Sequence, residues 1–147
     1  MISVIQRVLN ACVAVNDNNK NSINFGLVIF IGIEINDTKN DADKTVDKIL
    51  KLRIFEDNQE KMNLSALDVN AELLVVSQFT LTSNLKKGNR PSFDNAMPPA
   101  QAKELFDYCV SNFKKSGLIV KTGFFGEKMQ VNILNNGPVT FILNSKI

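Results

Sequence analysis

The sequence predicts a mixed, largely antiparallel α/β domain, and three observations carry that expectation. Strand-like segments rich in β-branched residues outnumber helical ones. Only two stretches keep helical spacing, too few to follow every strand in an alternating β-α-β-α chain. No repeat, linker or low-complexity block divides the 147 residues, which fit one compact single domain with its own core. The balance of 44% hydrophobic and 22% charged residues is that of a soluble globular protein.

The elements follow in order. Residues 2–15 read as a long strand, with Ile5, Arg7, Leu9, Ala11, Val13 and Val15 on one face and Ile2, Val4, Gln6 and Val8 on the other. Asn16-Asp17-Asn18-Asn19 signals a turn, and residues 21–24 a short return strand. The apolar run 27–35 is too short for a helix and reads as a central strand covered on both faces. A helix starts near Asn40 or Asp41, where acidic residues complement the backbone dipole, and Val46, Ile49, Leu50 and Arg53 form its stripe. Residues 56–70 are polar and read as irregular, and residues 73–79 as a second buried strand. Residues 82–97, with Gly88, Pro91 and several charges, form a long loop. Pro98 and Pro99 suit the first turn of a second helix, where a missing N–H costs nothing. Ala102, Leu105, Phe106, Cys109, Val110 and Phe113 line it, and Gly117 ends it. Strands follow over residues 118–122, 128–134 and 139–143, the last two joined by a turn at Asn135-Asn136-Gly137-Pro138.

Composition removes whole classes of chemistry. There is no histidine, so neither a Ser-His-Asp nor a Cys-His device exists, and histidine-ligated zinc or iron is excluded. Cys12 and Cys109 stand far apart without a CxxC companion and read as buried thiols of a reduced protein, poor candidates for a nucleophile. No apolar run reaches the roughly 18 residues of a membrane span, and residues 1–7 lack the pattern of a secretory signal, so the expected location is cytoplasmic. A net charge of +2 confines any nucleic-acid contact to a local patch.

Three stretches carry chemistry. Ser77-Gln78-Phe79-Thr80 puts polar side chains at the end of an apolar strand, where a hydroxyl and backbone N–H groups either face a cleft or bond the neighbouring loop. Asn135-Asn136-Gly137-Pro138-Val139-Thr140 reads as ordinary turn chemistry, or as a carbonyl aimed by a cis Gly-Pro bond. Lys86-Lys87-Gly88-Asn89-Arg90-Pro91-Ser92-Phe93 sets three basic residues on a Gly/Pro loop, fit either for phosphates or for solvent.

Taken together with Ile5-Gln6-Arg7-Val8, Arg53-Ile54-Phe55, Lys61-Met62-Asn63-Leu64 and Met129-Gln130-Val131, these stretches stand in an order and spacing that resemble the D-aminoacyl-tRNA deacylases, also called D-tyrosyl-tRNA deacylases, from the first residue to the last strand. The resemblance implies a three-layer α/β/β fold and a cytoplasmic homodimer with its active sites at the dimer interface. It implies hydrolysis of the ester joining a D-amino acid, or glycine mischarged on alanine tRNA, to the terminal adenosine. It further implies a cis Gly137-Pro138 pair that reaches into the partner subunit's pocket and leaves no space for an L side chain. No cofactor and no metal is expected.

On this reading Ser77, Gln78, Phe79 and Thr80 form the catalytic strand end, and Gly137, Pro138, Arg7 and Met129 bind substrate. Arg7 braces the Gly-Pro segment, or else makes an ordinary strand-surface ion pair. Met129 and Phe79 line the pocket, or else the core. Lys86, Lys87 and Arg90 meet the tRNA backbone. Thr80 either attacks the ester or positions water and substrate. With no base in its motif, the preferred reading is water attack assisted by the ribose 2′-hydroxyl and by backbone N–H groups. The competing readings are an L-specific editing domain, similar to that of archaeal threonyl-tRNA synthetases, and a scaffold dimer that binds RNA without chemistry.

Overall fold

In the computed structural model, which describes residues 1–86 and 88–146, the sequence alternation resolves into one curled six-stranded sheet, a small ribbon and two helices. In chain order the elements are β1 (Ile2–Ala14), β2 (Lys20–Ile23), β3 (Gly26–Gly32), α1 (Lys39–Lys51), β4 (Phe55–Glu56), β5 (Met62–Leu64), β6 (Glu72–Ser77), a 3₁₀ turn (Phe79–Thr82), α2 (Pro99–Lys114), β7 (Val120–Thr122) and β8 (Gln130–Asn144). β1 is the spine. Its first half pairs antiparallel with β3, its second half with β2, and β8 pairs with it along almost its whole length. β6 lies parallel to β3, as the crossover through α1 requires, and β7 parallel to β6.

Both faces of the β3–β6 centre are covered. Ile5, Leu27, Ile29, Ile31, Leu73 and Val75 pack beneath the helices with Ile49, Phe106, Cys109 and Phe113. Val28, Leu74 and Val76 face the other way, against Val8, Ala11, Val13 and Ile23 of the curled β1–β2 portion and Val131 and Ile133 of β8. This arrangement gives the three layers, α/β/β. No helix among the described residues is long and apolar enough to cross a membrane.

Several sequence expectations need correction. The two faces of β1 do not run straight through: Ile5, Ala11 and Val13 of one face are buried but Leu9 between them is 48% exposed, while Val8 of the other is fully buried. The pairing with β8 shifts register between Gln6 and Asn10, so the strand changes layers there. Residues 135–138 do not reverse the chain. They bulge within one continuous strand, four residues (136–139) standing opposite Arg7 alone. The polar stretch 56–70 contains all but Phe55 of the β4–β5 ribbon strands, invisible to periodicity because they have two and three residues. Arg53 lies beyond α1, which stops at Lys51, and its Nε donates to the Asn63 carbonyl at 2.6 Å. β3 ends at Gly32 and β6 at Ser77, short of the expected residues 35 and 79. Cys109 is buried as expected, and burial pushes its thiol up to about 12, whereas Cys12 is only half-buried.

Two local constraints fix the frame. A Cβ on Gly26 would stand 1.8 Å from the Glu72 carbonyl oxygen, so β3 and β6 approach this closely only because residue 26 has no side chain. At the other end, Asp41 in the first turn of α1 accepts the Thr38 N–H and hydroxyl, each at 2.9 Å, and the Ser145 hydroxyl at 2.9 Å. The neighbouring Asp37, fully buried in its side chain, accepts the Met1 ammonium at 2.6 Å. Partial burial raises the Asp41 pKa, but these hydrogen bonds and the Lys146 ammonium outweigh it and hold the carboxyl at about 2.

Gly26→Ala is expected to cost about 3 kcal/mol in urea unfolding, because backbone rather than a flexible side chain must move. Asp41 binds its proton more weakly folded than unfolded, so its contribution is complete above the ordinary carboxylate pKa. That contribution is about 2 kcal/mol and disappears as pH falls from about 4 to about 2. Asp41→Asn should therefore flatten the stability profile in that window.

Candidate active site

A cleft of about 580 Å³ opens where β3 and β6 end, walled by the turn after β7 and the start of α2. Its lining is mostly apolar: Phe79, Phe93, Met97, Phe125, Met129 and Val131 are among the residues that face it. Val76, Ser77 and Gln78 bring the end of β6 into it. Phe79 is 56% exposed, and its ring meets Phe93 edge-on at 5.1 Å. Through Phe93 the loop of residues 83–97 is docked on the cleft, and Asn84 and Ser92 close that loop with a pair of backbone bonds.

The 3₁₀ turn is what the strand end becomes. The Gln78 N–H donates to the Ile31 carbonyl at 2.8 Å, and the Leu81 N–H to the Gln78 carbonyl at 3.2 Å. Between them, the N–H groups of Phe79 and Thr80 find no acceptor among the described residues. Two successive free amides at a strand end are the geometry that can receive a developing oxyanion. Close packing holds the turn in place, since a Cβ on Gly32 would stand 2.8 Å from Leu81 Cβ and 3.0 Å from the Gln78 carbonyl oxygen. Met129 is fixed by its sulfur, which accepts the Phe124 N–H at 3.2 Å.

Of the residues singled out in the sequence, Ser77, Gln78, Phe79 and Met129 are brought together in the cleft. Thr80 is exposed on the 3₁₀ turn beside it, its hydroxyl accepting the Gln78 side-chain amide. Arg7, Gly137 and Pro138 do not line this cleft. Arg7 is 4% exposed and donates to three acceptors: Nε to the Asn136 carbonyl at 3.1 Å, Nη1 to the Ile54 carbonyl at 2.9 Å and Nη2 to the Glu56 carboxylate at 3.0 Å. The carbonyl it meets thus belongs to Asn136, the residue before the Gly-Pro pair.

The Gly137-Pro138 bond is cis, and Gly137 has φ +132°, where an added Cβ would stand 2.7 Å from Val139 Cγ2. Lys86 and Arg90 are exposed on the docked loop, and Lys87 lies outside the described residues. The sequence reading missed Glu127, the one ionisable residue of the cleft lining among the described residues. A glutamate beside a lysine in a glycine-containing turn gives no signal of its own.

The family model described as D-Tyr-tRNA(Tyr) deacylase matches residues 4–144. A D-aminoacyl-tRNA deacylase of Thermodesulfovibrio yellowstonii is 49% identical over 146 residues, spanning 99% of this chain and 100% of that protein. One from Aquifex aeolicus is 52% identical over 146 residues, spanning 99% of each. A solved structure described as c-Myc DNA Unwinding Element Binding Protein superposes with a TM-score of 0.92 at 40% identity, covering 98% of each chain. Another, of a probable eukaryotic D-amino acid tRNA deacylase, reaches 0.83 at 16% identity over 97% of each chain and shares the fold. The chain is an enzyme, a hydrolase acting on ester bonds. It belongs to the D-Tyr-tRNA(Tyr) deacylase family.

Because Arg7 satisfies one buried and one part-buried carbonyl with one charge, Arg7→Met is expected to cost about 3 kcal/mol of stability. Arg7→Lys, which keeps the charge but not the fork, should recover only part of that loss in the same unfolding experiment.

Proposed function

We propose that this chain hydrolyses the ester between a D-amino acid and the terminal adenosine of tRNA, and that it also removes glycine mischarged on alanine tRNA. The observation that carries the chemistry is the pair of unpartnered N–H groups at Phe79 and Thr80, beside an apolar cleft. The ester carbonyl sits against this pair, and the amides stabilise the oxyanion formed when water attacks. The ribose 2′-hydroxyl, adjacent to the esterified oxygen, relays the proton to the leaving 3′-oxygen, so free D-amino acid and tRNA are the products. An aminoacyl ester is already activated, and a protein without histidine need supply little more than this. Thr80 positions rather than attacks, since its hydroxyl is held by Gln78 and no base among the described residues accepts its proton.

Chirality is selected by exclusion. The carbonyls of Gly137 and Pro138 hold the α-ammonium of the substrate and leave no volume on the side where an L side chain projects, whereas glycine passes. In one chain these residues lie away from the cleft, on a strand whose outer edge has no partner among the described residues. Leu134, Phe141 and Ile142, the last 77% exposed, line that strand. A long unpaired edge with exposed apolar side chains favours a homodimer in which each protomer completes its partner's site. Lys86 and Arg90, on the loop docked through Phe93, are assigned to the tRNA backbone, and so, from the sequence, is Lys87.

Incubation with matched D- and L-aminoacyl-tRNAs tests the reading. Loss of the D ester alone is expected; equal loss of both would end the exclusion mechanism and favour an L-editing activity, and loss of neither a scaffold. Thr80→Ala should keep kcat/KM within about tenfold of the unaltered enzyme, about 1.4 kcal/mol. A substrate ending in 2′-deoxyadenosine, charged on its 3′-oxygen, should be cleaved poorly. An acyl group trapped on Thr80 would reverse this assignment.

A further inference from the structure

Of the three contacts that hold the Arg7 guanidinium, two go to main-chain carbonyls, which any residue at positions 136 and 54 would supply. The third goes to a side chain. Nη2 donates to Glu56 Oε1 at 3.0 Å and has no other acceptor among the described residues. Nη2 also borders the Gly-Pro pair, since a Cβ built on Gly137 would stand 3.4 Å from it. The carboxylate is presented from a firm base. Phe55 before it is buried and meets the Phe25 ring at 5.2 Å. Asp57 after it closes the ribbon turn, accepting the N–H groups of Gln59 and Lys61 at 2.8 and 3.1 Å and the Asn63 side-chain amide at 3.1 Å. The Glu56 side chain itself is 49% exposed. A pair so open to water adds little to global stability, but it fixes where Nη2 stands.

We infer that Glu56 is a positioning residue for chiral selection: through Arg7 it steadies the Gly137-Pro138 segment against which an L side chain is excluded. The inference rests on the reading that this segment is the chiral filter, serving the partner's cleft in the homodimer. Two backbone contacts leave the guanidinium room to pivot about them, and the third removes that freedom. With Glu56 gone, Nη2 turns to water, and the Asn136 carbonyl and the residues after it gain play. A filter that works by leaving no volume then loses its sharpness. The D ester, whose side chain projects away from this segment, is affected far less. Loss of a hydrogen bond to a charged group at a half-exposed position corresponds to about a threefold to tenfold change in a ratio of rates.

The test uses one tRNA charged with D- or L-tyrosine, at enzyme concentrations high enough to see the slow L reaction and with uncatalysed loss subtracted. Glu56→Ala should lower the D-to-L ratio of kcat/KM about threefold to tenfold by raising the L rate. The D rate should stay within about twofold, and the midpoint of urea unfolding should hardly move. Glu56→Gln, which keeps Oε1 as an acceptor without the charge, should lose less of the ratio. Both esters sit on the same tRNA, so the salt dependence of tRNA binding cancels between them. Raised salt should therefore bring the ratio of the unaltered enzyme towards that of Glu56→Gln and leave that of Glu56→Ala in place. Three results would each overturn the inference alone: an unchanged ratio in Glu56→Ala, a ratio that falls only through the D rate, or an equal fall of both rates with an earlier unfolding midpoint. An unaltered enzyme that cleaves both esters equally would overturn the exclusion reading, and one that cleaves neither the deacylase reading. The inference would fall with either.

Discussion

The guanidinium of Arg7 is the contact on which the rest of the arrangement depends. Buried within the sheet, it spends its donors on two backbone carbonyls and one carboxylate, from β8, from Ile54 before the ribbon, and from Glu56 within it. A charge withdrawn from water is tolerated only where such partners surround it. Here the partners are segments remote in sequence. The bulge of β8, the ribbon and the change of layer in β1 are therefore one solution rather than three features. Without a donor fork at residue 7, the Asn136 and Ile54 carbonyls would lack it as a partner, and the extra residues of β8 would have nothing to fold against.

How much of this was legible in the sequence varied with the kind of signal. Long periodic elements were readable: the stripe of α2, from Ala102 to Phe113, is buried residue for residue as its spacing predicts. The doubly covered run of β3 was readable too, because a strand buried on both faces is apolar at nearly every position. Strands of two or three residues were not, since no period fits within them. The Asn135–Pro138 stretch misled because its residues are those of a reversing turn, and only pairing with β1 on both sides shows that the chain carries on.

For the cleft, motif order identified Ser77, Gln78, Phe79 and Met129, but the two free amides had no sequence signature. Backbone groups are the same in every residue. Their availability depends on the strand ending at Ser77 and the 3₁₀ turn taking its first bond at Leu81. Glycine at position 32 admits that turn against the end of β3. In the proposed reaction a chain without imidazole places its chemistry in main-chain geometry, and the side chains of the cleft shape and exclude instead.

One consequence of the spine concerns assembly of the chain itself. Ile2 pairs with Asn144, and the Ser145 N–H closes on the Met1 carbonyl at 3.0 Å, so the first strand finds its longest partner only in the last. During synthesis β1 can pair early with β2 and β3, but its other border stays unoccupied until β8 has emerged. Contacts of such long sequence separation form late and slowly, after the loops between them have been closed. Until then the nascent protein carries an open strand, a state in which neighbouring chains compete with its own β8 for the same hydrogen bonds.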